Sequence, residues 1–214
     1  MTEFELLAIP LSLILGLGIT NILTDVSDAI RDRERVPLHW LPFVWAFLIF
    51  LFQVQYFFVL WDQHELGAVW TWQRFGPALF NCVILYLSAG LILPGRRNSD
   101  SASLLADFQK HGRLALMALA FMLLVALGLN IYTEALDAQL VGGKLVELSK
   151  ADVVLWGLRQ AFNVIIYVLL ASIGLVILSR KYSWQLAGTT IFAFAEFYGL
   201  MVAWSEPGRT IVLS

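Results

Sequence analysis

The feature that most limits what this chain can fold into is its long runs without an ionised side chain. Four stretches lack Asp, Glu, Lys and Arg altogether: 36–61, 75–95, 114–133 and 160–179. A helix needs about 20 mostly apolar residues to cross the hydrocarbon core of a bilayer. Only 14% of the residues are charged, whereas soluble domains average about 25%. The sequence therefore predicts an integral membrane protein.

Two further segments complete the set of predicted spans. The first is uncharged from Leu6 to Thr24, and its acidic start does not match a secretory signal peptide, so we expect it to remain as a helix. The last is interrupted by Glu196 but keeps enough apolar length on both sides to span. We predict an all-α fold, a polytopic membrane helical bundle that forms a single membrane domain over 1–214. Its six transmembrane helices are expected at about 4–30, 38–61, 75–94, 113–134, 153–179 and 184–204.

The distribution of Lys and Arg predicts the orientation, because cytoplasmic connections retain these residues preferentially. The connections after the first, third and fifth helices are the more basic ones, with residues such as Arg33, Arg97 and Lys181. This bias places both termini on the outer, periplasmic side. The predicted location is the cell inner membrane, crossed several times.

Composition also limits the cofactors and partners to be expected. Cys82 is the single cysteine, and the three histidines fall on different connections, so the sequence predicts neither a metal site nor a haem site. A net charge of −2 without a basic stripe argues against nucleic-acid binding. We expect no cofactor, and as partners only membrane lipid and either further copies of this chain or a larger membrane complex.

Small and polar residues recur along the first helix. Every fourth position is small or hydroxyl-bearing, which predicts a ridge for close helix packing: Ser12, Gly16, Thr20 and Thr24. A second polar face, formed by Asn21, Asp25 and Asp28, leads towards the cytoplasmic end. That face is compatible with the floor of an aqueous cavity, a cation site or a solvated helix end.

Ionisable groups deeper in the spans are more informative, because an isolated charge in hydrocarbon normally faces a partner or water. Arg159 starts the fifth helix, and Glu196 lies near the middle of the sixth, so a long Arg side chain is expected to reach the carboxylate. Polar amides at similar estimated depth complete a candidate polar pocket: Gln53, Asn81, Asn130, Gln160 and Asn163. The alternative is an Arg–Glu lock with interhelical hydrogen bonds that only fixes helix packing.

Part of the chain resembles a known group of proteins. The segment Leu15-Gly16-Leu17-Gly18-Ile19-Thr20, the basic run 31–35 and Leu38-His39-Trp40, followed by Gln53, Gln55 and Trp61, resemble uncharacterised small bacterial polytopic inner-membrane proteins. The resemblance covers about residues 1–62. It implies a bacterial inner membrane and no activity, so it assigns no functional residue.

Three functional hypotheses follow. The leading one is a self-assembled polar conduit, a transport-like site within the bilayer built around Arg159, Glu196 and the amides. The second is a non-catalytic accessory or scaffold subunit of a membrane complex, in which those groups only lock helices. The third is a lipid-modifying enzyme that holds Mg²⁺ on the carboxylates of the first helix. Catalytic signatures are otherwise missing from the sequence, which favours a protein that is not an enzyme.

Overall fold

The computed structural model describes residues 3–34, 37–65, 72–93, 104–141, 150–179 and 181–204. Side chains are described over 6–34, 37–61, 75–93, 104–128, 164–179 and 181–201. Every regular element in these residues is helical: α1 (Glu3–Arg31), α2 (Trp40–Glu65), α3 (Trp72–Ile92), α4 (Leu104–Asp107), α5 (Arg113–Val141), α6 (Lys150–Leu178) and α7 (Tyr182–Trp204). A 3₁₀ turn, Asp32–Glu34, follows α1.

The predicted all-helical fold is confirmed for the part of the chain that the structure describes. Each of the six predicted helices coincides with a long helix, although several helices begin or end up to two turns away from the expected residue. Four helical segments are long and apolar enough to cross a membrane: Leu6–Glu34, Trp40–Trp61, Phe75–Ile92 and Leu104–Gly128. A fifth apolar segment, Val164–Leu178, is shorter over the residues described. These segments are those expected of a membrane protein.

The outer surfaces of the helices support this assignment. Large apolar side chains are extensively exposed, as at Leu13 (63%), Phe194 (74%) and Leu178 (84%). A soluble protein rarely leaves extended apolar surface in water, whereas hydrocarbon is a suitable neighbour for these residues.

Packing divides the chain into two compact units, Met1–Met122 and Leu123–Ser214. In the first unit α1, α2 and α3 contact each other pairwise. The α1 face directed to these neighbours carries Leu11, Leu15, Gly18 and Ile22, all buried. At the start of α2, His39 Nδ1 accepts a hydrogen bond from the Leu41 backbone N–H at 3.3 Å, which satisfies one of the free amides at this helix end.

The segment before α5 has an unusual backbone. Between α4 and α5 the residues Phe108–Gly112 form a π-helical turn that packs against α3, while α4 contacts α2. Phe108 lies over Gly112, where a Cβ atom would come within 2.5 Å of its ring. In the sequence, Leu104, Phe108 and His111 recur at helical spacing, which predicts an interfacial turn of helix over 103–111. The structure is helical from Leu104 onwards and continues into α5, with Leu104 and Phe108 buried.

The second unit is dominated by the antiparallel pair α6 and α7. Their connection is short, and the Ser179 carbonyl at the end of α6 accepts a hydrogen bond from Gln185 Nε2 at 3.1 Å. The helices approach each other closely at Gly188, where a Cβ atom would lie 2.8 Å from the backbone oxygen of Ser172. Gly188 is therefore required for this close contact, since a backbone atom of a packed helix cannot easily move away.

Candidate functional site

The clearest polar contact in the first unit joins α2 to α3. Gln53 is completely buried, and its Nε2 atom donates a hydrogen bond to the backbone oxygen of Leu85 at 3.2 Å. A neutral amide in this position avoids the cost of a buried charge but still needs partners for both ends of the group. Gln53 was one of the polar site candidates predicted from the sequence.

Space for this amide is provided by α1. A Cβ atom on Gly18 would collide with the side-chain amide of Gln53. Gly18 lies within the buried face of α1, between Leu15 and Ile22, where other positions carry larger apolar side chains. The three helices therefore meet around one polar group, with a glycine on the first, the amide on the second and a backbone carbonyl on the third.

One turn further along α2, Tyr56 adds a second polar group. Its hydroxyl donates to the backbone oxygen of Ala78 at 3.3 Å and accepts a hydrogen bond from the side-chain NH₂ group of Asn81. Asn81 is 8% exposed, and Ala78, Asn81 and Leu85 follow one face of α3 at helical spacing. We refer to Gln53, Tyr56 and Asn81 as the amide site.

The amide site contains unused hydrogen-bond acceptors. Gln53 Oε1 and Asn81 Oδ1 are both buried, and neither has a hydrogen-bond partner among the described residues. Rotating the Gln53 amide by 180° does not help, because its oxygen would then face the Leu85 carbonyl oxygen. A buried polar atom without a partner costs about 1–3 kcal/mol. Such a pair of oxygens suits a ligand that donates hydrogen bonds or carries positive charge.

In the second unit the buried polar side chains follow the contact between α6 and α7. Among the residues whose side chains are described, they are Ser172, Gln185, Thr189 and Glu196. Ser172 Oγ donates to the Leu169 carbonyl at 2.7 Å, and Thr189 Oγ1 donates to the Gln185 carbonyl at 2.8 Å. Glu196 is 3% exposed and has an interaction partner in the structure. We refer to these four residues as the α6–α7 stripe. Each has a partner, whereas two oxygen atoms of the amide site have none among the described residues.

The predicted polar pocket is therefore represented in two places. Gln53 and Asn81 lie together in the first unit, and Glu196 is buried in the second. The other predicted members have side chains outside the described residues: Asn130, Arg159, Gln160 and Asn163. The convergence of all of these groups into one pocket stays a prediction.

The register of α6 and α7 determines how far apart Arg159 and Glu196, the predicted ion pair, lie along these two helices. Gly199 lies beside Ile165: a Cβ atom placed on Gly199 would be 3.6 Å from the Ile165 Cγ2 atom. At a rise of 1.5 Å per residue, this contact and the one between Gly188 and Ser172 place the backbones of Arg159 and Glu196 about 8–13 Å apart along the helix pair. A direct ion pair requires both side chains to extend towards each other.

The predicted ridge on α1 does not form the contact with α2 and α3. Ser12, Gly16, Thr20 and Thr24 are all exposed. Their hydroxyls bond to carbonyls of their own helix, Ser12 to Ile9, Thr20 to Gly16 and Thr24 to Thr20, at 2.8–3.0 Å. The neighbouring face buries larger apolar side chains, and the hydroxyls need no other helix. Within the described residues these positions are exposed, and close helix packing through the ridge stays a prediction.

The second polar face of α1 lies within the described residues. Asn21, Asp25 and Asp28 are half-buried. Among the described residues, no group of three or more His, Cys, Asp or Glu side chains is arranged to hold a metal ion. The three interpretations of this face, the floor of an aqueous cavity, a cation site or a solvated helix end, stay predictions.

Three features of the structure were missed in the sequence. Tyr56 and Gly18 were not singled out, although Tyr56 follows Gln53 at helical spacing and Gly18 lies between apolar residues. The third is a pair on the π-helical turn, where His111 Nδ1 lies 2.9 Å from Asp107 Oδ1. Its signal was an acidic residue and a histidine at positions i and i+4.

No family model, curated protein or solved structure matches this chain. The chemistry of the amide site therefore has to be inferred from its geometry.

Proposed function

We propose that this membrane protein binds a small monovalent cation at the amide site and passes it through the bilayer. The observation that carries the proposal is the pair of buried acceptors, Gln53 Oε1 and Asn81 Oδ1, which have no hydrogen-bond partner among the described residues. Apolar side chains at these positions would avoid the cost of the unpaired oxygens. A ligand that uses both oxygens gives a physical reason for placing amides there.

The donor set favours a monovalent ion over a divalent one. The amide site offers neutral oxygens from two amides and a tyrosine hydroxyl, without a carboxylate. Protein sites for Ca²⁺ or Mg²⁺ normally include carboxylates, whereas neutral oxygens can replace the hydration shell of an alkali ion. Ammonium fits the same donor set, because its N–H groups donate hydrogen bonds to oxygen acceptors.

The assembly and topology proposed here follow from the sequence. The chain forms a homo-oligomer or joins a larger membrane complex, and it crosses a bacterial inner membrane six times with both termini outside. The exposed ridge on α1 supports assembly, because small residues allow the close approach of another helix.

Flux through purified protein in sealed vesicles tests the proposal. Na⁺, K⁺, NH₄⁺ and H⁺ uptake would be measured with ion-sensitive dyes for wild type, Gln53→Leu and Asn81→Leu. We expect at least one cation to enter faster than in protein-free vesicles and each substitution to slow it about tenfold, the equivalent of 1.4 kcal/mol. Ser88→Ala is the matched control: Ser88 is equally buried on α3, but its hydroxyl bonds to the Ile84 carbonyl of its own helix at 2.9 Å.

Wild-type rates equal to those of empty vesicles for all four ions would contradict the proposal. The second candidate, an accessory subunit, is favoured by the unpacked ridge on α1. It predicts a stoichiometric foreign subunit in particles extracted with mild detergent, identified by mass spectrometry. A particle made only of this chain would count against that role.

A further inference from the structure

A separate feature of the first unit is a cavity between the first turns of α1 and the last turns of α2. Its volume is about 260 Å³, and apolar side chains of both helices line it, among them Ile9, Leu11, Phe57 and Leu60. The cavity exists because Ala8 and Ser12 present short side chains on the α1 side. Neither the amide site nor the α6–α7 stripe contributes to it.

Water is a poor occupant of this cavity. A buried water needs two to four polar partners. Ser12 supplies the one hydroxyl in the lining, and it already donates to the Ile9 carbonyl at 3.0 Å. An apolar cavity of about 150 Å³ in another protein stays dry and takes up benzene, so this larger cavity suits a longer apolar group.

The position of the cavity identifies the source of that group. Both walls belong to helices that are long and apolar enough to cross a membrane. Its rim is exposed, with Ile9 at 53%, Phe57 at 43% and Trp61 at 49%. In a bilayer, the medium that surrounds such a rim is lipid hydrocarbon. Trp61 lies within the last turns of α2, where an indole ring favours the headgroup level.

We infer that one acyl chain of a membrane phospholipid lodges between α1 and α2 in this cavity. Its headgroup lies at the level of Trp61, and its tail passes Phe57 and Leu60 towards the middle of the bilayer. The bound acyl chain fills space that the protein leaves open, and it contacts both the first turns of α1 and the last turns of α2. This site is independent of the proposed cation flux.

Photolabelling in nanodiscs tests the inference. The full chain would be reconstituted with a phospholipid that carries a diazirine on one acyl chain, irradiated and digested, and the adducts located by mass spectrometry. We expect adducts concentrated on the cavity-lining residues of α1 and α2. Ala8→Phe fills the cavity and should reduce these adducts to the level of other lipid-exposed segments. Leu13→Phe adds a similar ring at an exposed position outside the cavity and should leave them unchanged.

Ser12→Leu is a second, smaller filling change that is useful if Ala8→Phe does not fold. Adducts spread evenly over the exposed apolar residues, or unchanged by both filling variants, would overturn the inference. So would an Ala8→Cys protein that forms disulfide-linked dimers through position 8 in place of lipid adducts there, because a second copy would then occupy the cavity.

Discussion

Both units of this protein place polar side chains between helices, but they differ in how those groups are satisfied. In the first unit, Gly18 faces the movable end of a side chain, the Gln53 amide, and two amide oxygens lack partners. In the second, Gly188 faces the backbone of Ser172, and the hydroxyls of Ser172 and Thr189 bond within their own helices. The first arrangement leaves capacity for a ligand, whereas the second fixes two helices together.

The largest effect is expected at the close contact in the second unit. In Gly188→Ala the new Cβ atom would meet the Ser172 oxygen at 2.8 Å and Val176 Cγ2 at 2.7 Å, so α6 and α7 must separate. Overpacking of this kind costs about 1–3 kcal/mol, and we expect the upper part of that range in the free energy of unfolding in detergent. Gly174→Ala on α6 is the control, because nothing lies within 4 Å of its Cβ position. Equal stability of the two variants would show that α6 and α7 are not locked at Gly188.

Glu196 tests whether the α6–α7 stripe is purely structural. Glu196→Leu removes a buried group that has a partner, and leaving that partner unsatisfied costs about 1–3 kcal/mol. Glu196→Gln keeps a polar oxygen and should cost less, as measured by thermal unfolding. In vesicles, a changed proton or cation flux in a stable Glu196→Gln protein would extend the pathway to the second unit and break the contrast between the two.

Gly18→Ala should reduce the free energy of unfolding less than Gly188→Ala does, but it should reduce cation flux more. The new methyl meets the Gln53 amide, which can swing aside, so the main loss is the hydrogen bond to Leu85, worth about 1 kcal/mol. We expect cation flux to fall because Gln53 no longer holds its position. Gly16→Ala on the same helix has open space around its Cβ atom and should retain both stability and flux. A Gly18→Ala protein with normal flux would separate Gln53 from the transport path.

The smallest change in stability is expected when the amide site is made apolar. Gln53→Leu loses one hydrogen bond but also removes an unpaired buried oxygen, so the free energy of unfolding should stay within about 1 kcal/mol of wild type. Chemical denaturation in detergent would measure it. A loss of several kcal/mol would mean that the amide is needed for folding and would weaken its assignment as a ligand site.

The sequence predicted the helices well because their signal is the absence of charge over a bilayer thickness. Their ends were less predictable. α5 continues to Val141, since the residues after Thr133 are mostly good helix formers and Gly142 is the first strong break. In the passage Glu134 to Asp152, Gly142 and Gly143 between apolar pairs are compatible with a small hairpin or with two helix ends that meet at a turn. The described parts of this passage are helix ends, α5 to Val141 and α6 from Lys150.

The side of each helix that packs against its neighbours could not be predicted in the same way. α1 carries a small-residue stripe and an apolar stripe side by side, and in a membrane the surroundings of both are apolar, so hydrophobic contrast does not identify the packed face. The sequence favoured Ser12 and Gly16, whereas the contact uses Leu11, Leu15 and Gly18. Gln53 and Asn81 were recognisable as polar groups in apolar runs, but the space at Gly18 and the Tyr56 hydroxyl depend on helix rotation.

The π-helical turn at Phe108–Gly112 has a consequence for how this chain tolerates change. A wide turn absorbs one extra residue, so α4 is rotated by about 100° from the position that an uninterrupted helix would give it. That rotation buries Leu104 and Asp107 together with Ala115 and Leu116 further along. Shortening the turn by one residue would therefore restore regular α-helix and keep Leu104 facing the core, whereas regular α-helix of unchanged length would turn Leu104 away from it. Removal of the exposed Lys110 should accordingly leave α4 in place, and insertion of a residue beside it should do more damage because it rotates α4 by about 100°.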